Sequence, residues 1–207
     1  MECILTEGMT VEQRQAHDDR DLVRRAQAGD REATGDLFVL HSHAVRRLLT
    51  SVIGPNADLD DLTQEVLLRV HRSLPGFRGK SKFATWLHRL TVNTAISHLR
   101  KMKNKQVLMD PVVLEVVAGD DSASVHDSAM GREMVRRLYR ILDTVSHKRR
   151  AAFTLFEIEG RSLASLAEIL GISRASAKSR VWFARREITK KAGDDPYLGP
   201  LLRELKQ

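Results

Sequence analysis

Over residues 83–99 the chain places apolar side chains on two opposite sides of one helix, and this constrains the fold more than any other feature. Gly and Pro are absent there. At 100° per residue Phe83, Leu87 and Leu90 gather on one side, and Val92, Ala95, Ile96 and Leu99 lie about half a turn away. A helix apolar on two sides needs neighbours on both, so it is pinned inside a small bundle. A polar stripe follows the same helix: Trp86, Arg89, Asn93, Ser97 and Arg100 recur at helical spacing. Ahead of it, Pro75-Gly76 and Gly79 break regular structure, and the loop formed by residues 77–82 carries Arg78, Lys80 and Lys82. Cations on a loop suit a phosphate backbone. An aromatic plate, two guanidinium groups and an amide on the stripe suit stacking on an unpaired base and reading its edge. The plainer alternative is a solvated helix face whose Trp packs inward.

The rest of the chain reads as further helices. Residues 1–20 lack periodicity and are expected to be a flexible N-terminus. A short helix over 21–34 breaks at Gly29-Asp30, and a second over 37–52 turns Leu37, Leu40, Ala44, Leu48 and Val52 inward before stopping at Gly54-Pro55. In 58–74, Asp58 or Asp60 is a candidate helix cap, Leu62, Val66 and Val70 face the core, and Asp61, Gln64, Glu65, Leu68 and Arg72 lie opposite. Residues 105–130 hold Asp110, Glu115, Asp120, Asp121 and Asp127, with Pro and Gly interruptions, and read as a flexible acidic linker. An amphipathic helix then presents Met134, Val135, Leu138, Ile141, Leu142 and Val145. Ser146 is a candidate cap for a helix with the basic run Lys148-Arg149-Arg150.

Residues 162–186 have the pattern of a helix-turn-helix, with Gly171 at the turn and Ser173 capping the second helix. Ala177, Val181, Ala184 and Ile188 face inward, leaving Arg174, Ser176, Lys178, Ser179 and Arg180 near the helix start, where a recognition helix enters the major groove. Arg185 and Arg186 lie farther along, better placed for phosphates. The expected fold is all-α: two small helical domains, 21–104 and 131–192, joined by the acidic linker, with the helix-turn-helix in the second. Residues 193–207 form a tail whose Leu201, Leu202 and Leu205 suit packing on the second domain or a partner.

At 207 residues and a formal charge of +7, the chain calls for an anionic partner, nucleic acid or membrane surface. No apolar run approaches the ~20 residues that span a bilayer, so no membrane insertion and a cytoplasmic location are expected. Cys3 is the only cysteine, which excludes an intrachain disulfide and a thiolate cluster. Scattered His residues and the lack of a phosphate-binding Gly loop give no case for catalysis, and no cofactor or metal is expected. The carboxylates around Asp60 and Glu65 are better explained by capping than by a divalent ion.

The succession FRG, F-x-TWL-x-R and N-x-A-I over residues 77–96 resembles the promoter-melting segment of bacterial sigma factors of the sigma-70 family, in the extracytoplasmic-function group. Taken with D-D-L-x-Q-E-V-x-L-R-V and L-A-E-I-L-G-I-S, the resemblance covers about 21–191. It implies an alternative sigma factor, not an enzyme, that binds the RNA polymerase core and selects promoters. On that resemblance Asp61, Gln64, Glu65 and Leu68 grip the coiled coil of the largest subunit. Phe77, Arg78, Lys80, Lys82, Trp86, Arg89 and Asn93 capture the minus-ten strand of promoter DNA. Arg174, Ser176, Lys178, Ser179, Arg180 and Arg185 serve minus-thirty-five reading, although Ala175-Ser176-Ala177 departs from the usual Gly-Thr-Val. An anti-sigma factor is the further partner implied. The alternatives are a stand-alone dimeric helix-turn-helix regulator and a metal-dependent nucleic-acid enzyme using Asp60, Asp61 and Glu65.

Overall fold

Asp30 sets the first corner of the chain by accepting hydrogen bonds from the backbone N–H groups of Glu32 and Ala33 at 2.9 and 3.1 Å. This cap satisfies two of the free N–H groups that begin a new helix. The computed structural model describes residues 11–108 and 129–200, which contain helices and no strand. In order these are α1 (Val11–Gln27), α2 (Arg31–Ile53), α3 (Leu59–Ser73), a 3-10 turn (Leu74–Gly76) and α4 (Phe83–Leu108). There follow α5 (Ala129–Asp143), α6 (His147–Phe153) running into a π-helical turn (Thr154–Ile158), α7 (Leu163–Leu170) and α8 (Arg174–Asp194).

Helix α4 is the central post. It packs on α1, α2 and α3 of the first domain and on α6 and α7 of the second, so a helix apolar on two sides finds neighbours in both. Phe83, Leu87, Val92, Ala95 and Leu99 are buried in one cluster with Leu37, Val45, Leu49, Val66 and Val70. Ala151, Ala152, Leu155, Leu166 and Ile169 of the second domain belong to that same cluster. A smaller core joins α5, α8 and the start of the tail through Ile141, Leu142, Val145, Ala184, Ile188 and Leu198. The two helical domains are thus present as expected, but they share a core.

Several expectations need correction. Helix α1 begins at Val11, not near 21, and Asp19 is buried with an oxygen 2.8 Å from Nε2 of the equally buried His41. Polar residues that satisfy each other inside a core leave no apolar periodicity to read. Helix α2 begins at Arg31, and Leu40 points outward because His41 and Val45 take the inward stripe. Asp58 and Ser146 occupy cap positions without side-chain cap bonds, whereas Ser162 and Ser173 accept from Ser165 N and Ser176 N. Helix α4 continues to Leu108 and α5 starts at Ala129, so both ends of the expected linker are helical. The remainder of the linker, Cys3 and the tail leucines lie outside the described residues. Leu198 and Tyr197, at the start of the tail, pack on the second core.

Candidate nucleic-acid interface

The loop before α4 is held at both ends. Gln27 Nε2 donates to the carbonyl oxygens of Leu74 and Phe77 at 2.9 and 2.8 Å, tying the loop to α1. Phe77 then joins Phe83 and Trp86 in an aromatic trio with ring centroids 5.0 to 6.0 Å apart. Tilted and edge-on rings at such distances pack favourably. Trp86 is therefore half-buried, as the plainer reading of the stripe had it, while Arg78, Lys80 and Lys82 stand exposed around it. Packed aromatics beside exposed cations form a surface on which a flexible strand can lie.

Arg89 and Asn93 continue the stripe and are exposed. Asn93, Ile96, Ser97 and Arg100 form one wall of a cleft of about 360 Å³, and Lys148, Leu170, Ile172 and Arg180 form the other. Three cations, Arg100, Lys148 and Arg180, line this cleft beside Ile96, Leu170 and Ile172, so it favours an anionic occupant. Behind the stripe, His88 is held neutral: burial first, then the charges of Arg161, His41 and Arg47, push its pKa down to about 4.

In the helix-turn-helix, Gly171 ends α7 in the left-handed conformation (φ 62°) and Ser173 caps α8. Arg174, Ser176, Lys178 and Ser179 are exposed at the start of α8, while Arg180 turns toward the interdomain cleft. Arg185 is already engaged, with Nε 2.9 Å from Glu157 Oε1. On α3, Asp61, Gln64 and Leu68 are exposed on the side away from the core, and Leu68 retains 54% of its surface. Glu65 bonds Arg69 one turn later at 2.5 Å, so any partner must compete for it.

Two features escaped the sequence reading. Trp182 and Phe183 are exposed on α8, edge-on at 4.8 Å, with Arg186 above one ring and Arg149 above the other. Both lie four residues beyond a candidate base reader, Lys178 or Ser179, and that spacing was the available signal. The other is Arg150, which the basic run hid: it is 1% exposed.

Comparison with known proteins agrees with the two-domain helical architecture. The family model for Sigma-70 region 2 matches residues 37–105, and that for Sigma-70, region 4, matches residues 135–188. The ECF RNA polymerase sigma-E factor of Escherichia coli K12 is 30% identical over 179 residues, covering 84% of this chain and 93% of that protein. CnrH, solved with the cytosolic domain of CnrY, shares the fold with a TM-score of 0.61 at 22% identity, over 86% of this chain and 99% of that one. The sigma factor RpoE of Bartonella quintana, solved with the anti-sigma factor NepR, gives 0.57 at 24% identity, over 75% and 94%. Two region matches in the right order, on two helical domains that present a loop-aromatic helix and a helix-turn-helix, place the chain in the sigma-70 family, among the extracytoplasmic-function sigma factors.

Proposed function

We propose that this chain binds RNA polymerase core and directs it to promoters recognised in two parts, a duplex minus-thirty-five element and a melted minus-ten strand. The observation that carries the reading is the pairing, in one chain, of an exposed recognition-helix start with the tethered loop and aromatic trio ahead of α4. In this reading the α3 face of Asp61, Gln64 and Leu68, with Glu65 released from Arg69, docks on the largest subunit. Arg174, Ser176, Lys178 and Ser179 enter the major groove, and Arg180 joins them when it leaves the cleft. The cations Arg78, Lys80 and Lys82 hold the displaced strand. Trp86 supports the loop from beneath, and Arg89 and Asn93 supply the phosphate and base-edge contacts. A protein of the anti-sigma kind is the expected inhibitor, by analogy with the RpoE–NepR pair.

The test is co-purification with bacterial core polymerase, followed by run-off transcription on genomic fragments with and without the protein. Stable core binding with new, defined start sites is the expected result. Failure to bind core together with tight binding to a two-fold-symmetric duplex would favour the dimeric regulator, a reading that leaves the loop and aromatic trio without a role.

A further inference from the structure

After α8 the chain turns back along α5. Lys191 Nζ, near the end of α8, donates to the Thr144 hydroxyl at 2.7 Å, just past the C-terminal end of α5. Four residues later Asp195 pairs with Arg137 Nη1 at 3.2 Å, and the Arg137 guanidinium lies 5.2 Å from the centroid of the Tyr197 ring. Thr144 and Arg137 are seven residues apart, about 10 Å along a helix. The chain leaving α8 therefore runs toward the start of α5. The Asp195 carboxylate fixes that course. Its Oδ1 accepts from the backbone N–H groups of Tyr197 and Leu198 at 2.9 Å each, and these bonds, that from Leu198 foremost, hold the carboxyl below its ordinary pKa. Leu198 is buried in the core that α5 and α8 share. Gly199 passes so close to the end of α8 that a Cβ there would sit 2.5 Å from the Gly193 carbonyl oxygen.

The apolar stripe of α5, Met130, Met134, Leu138, Ile141 and Val145, is covered unevenly. Val145 and Ile141 are 2% and 8% exposed, and Met134 and Leu138 are partly buried against the second core, but Met130 keeps 51% of its surface. The bare end is the one the tail approaches. Beyond Pro200 the sequence supplies Leu201, Leu202 and Leu205, which stand three, four and seven positions after Leu198, the spacing of one helix face. From Arg137 to Met130, α5 rises a further stretch of about 10 Å, which the seven residues 201–207 span in helical or extended form. Tethering also selects the occupant. A segment joined to a buried Leu198 has an effective concentration on the order of millimolar, well above that of a second copy or a separate partner at ordinary protein concentrations.

We propose that the Met130–Met134 face of α5 is the docking site of the chain's own C-terminal segment, residues 201–207, whose Leu201, Leu202 and Leu205 cover it. The segment completes the second core from outside and pins the start of α5, the helix that opens the second domain. Leu138 and Ile141 of α5 share that core with Ala184 and Ile188, so the docked segment also steadies the C-terminal half of the recognition helix. A separate protein that binds this face of α5 has to displace the segment first. The docking is a property of the chain alone and stands or falls apart from the sigma reading.

The test uses the full chain with Cys3→Ser, isotopically labelled methionine methyl groups and a nitroxide on Gln207→Cys. The methyl resonances of Met130 and Met134, assigned through Met130→Leu and Met134→Leu, are expected to broaden and to sharpen again when ascorbate reduces the nitroxide. Leu202→Asp combined with Leu205→Asp is expected to abolish the broadening and to speed amide exchange in the first two turns of α5 by about tenfold, with helical circular dichroism retained. Resonances that stay sharp with the unaltered tail would overturn the proposal, as would broadening that survives the paired substitution. Two further outcomes would assign the face to another occupant and overturn it equally. One is broadening that passes only between chains, from nitroxide-bearing to isotope-labelled copies in a mixed sample. The other is an α5 face that gains protection from exchange only when bacterial core polymerase is added.

Discussion

Arg150 and Arg174 carry the same guanidinium group on neighbouring helices of one domain, and their surroundings give them opposite tasks. Arg150 is 1% exposed and spends its donors on carbonyls and Asp143, whereas Arg174 stands exposed at the start of α8. Replacing Arg174 with Ala is expected to cost about 1–3 kcal/mol of minus-thirty-five duplex binding while leaving the unfolding midpoint unchanged, measured by fluorescence anisotropy and urea titration. Arg185→Ala is expected to weaken that binding less, because Glu157 already neutralises the group it removes. Leu68→Ala removes an exposed side chain, so it is expected to shift stability by less than about 0.5 kcal/mol yet reduce retention on core polymerase in a pull-down. A side chain's partners, not its type, separate these cases.

Helices whose partners are local were legible from the sequence. The second helix of the helix-turn-helix buries Ala177, Val181, Ala184 and Ile188, the residues its periodicity singles out, and Ser173 caps it. Ser173→Ala is expected to cost about 1 kcal/mol of stability, read as a lower urea midpoint. Helix α3 likewise buries Leu62, Val66 and Val70. Where an element depends on a distant partner, the periodicity failed. Helix α1 extends ten residues N-terminal to its expected start because its stabilising contacts include a buried Asp19–His41 pair, which hydropathy scores as polar surface. The turn after α2 is a similar case: Gly54-Pro55 announced a stop, but not that an aromatic ring from residue 139 would fill the space beside it. Gly54→Ala, with a positive φ and a Cβ 2.7 Å from that ring, is expected to destabilise the protein by more than about 1 kcal/mol in the same titration.

At the scale of the whole molecule, the contact between domains also carries a pH dependence. His88 lies among Arg161 of the second domain and His41 and Arg47 of the first, and burial with these charges lowers its pKa to about 4. Above its ordinary value of 6.5 it is neutral folded or unfolded and costs nothing. As pH falls below that value the unfolded chain takes up a proton that the folded chain refuses, so stability is lost progressively until about pH 4. Between pH 7 and 5 the loss is expected to be about 2 kcal/mol, visible in urea unfolding and much reduced in His88→Gln. His98 and His147, whose pKa values burial also lowers, act in the same direction. The sequence by itself determined most of the helices, the two-domain order, the inward face of α8 and the family, because helical periodicity and turn residues act over a few positions. Tertiary structure alone decided that Trp86 packs under the loop, that Arg150 serves the end of another domain's helix, and that Arg89 and Asn93 face the helix-turn-helix. Each of these depends on groups far apart in the chain, and a buried cation satisfied by remote carbonyls reads, in sequence, like any surface arginine.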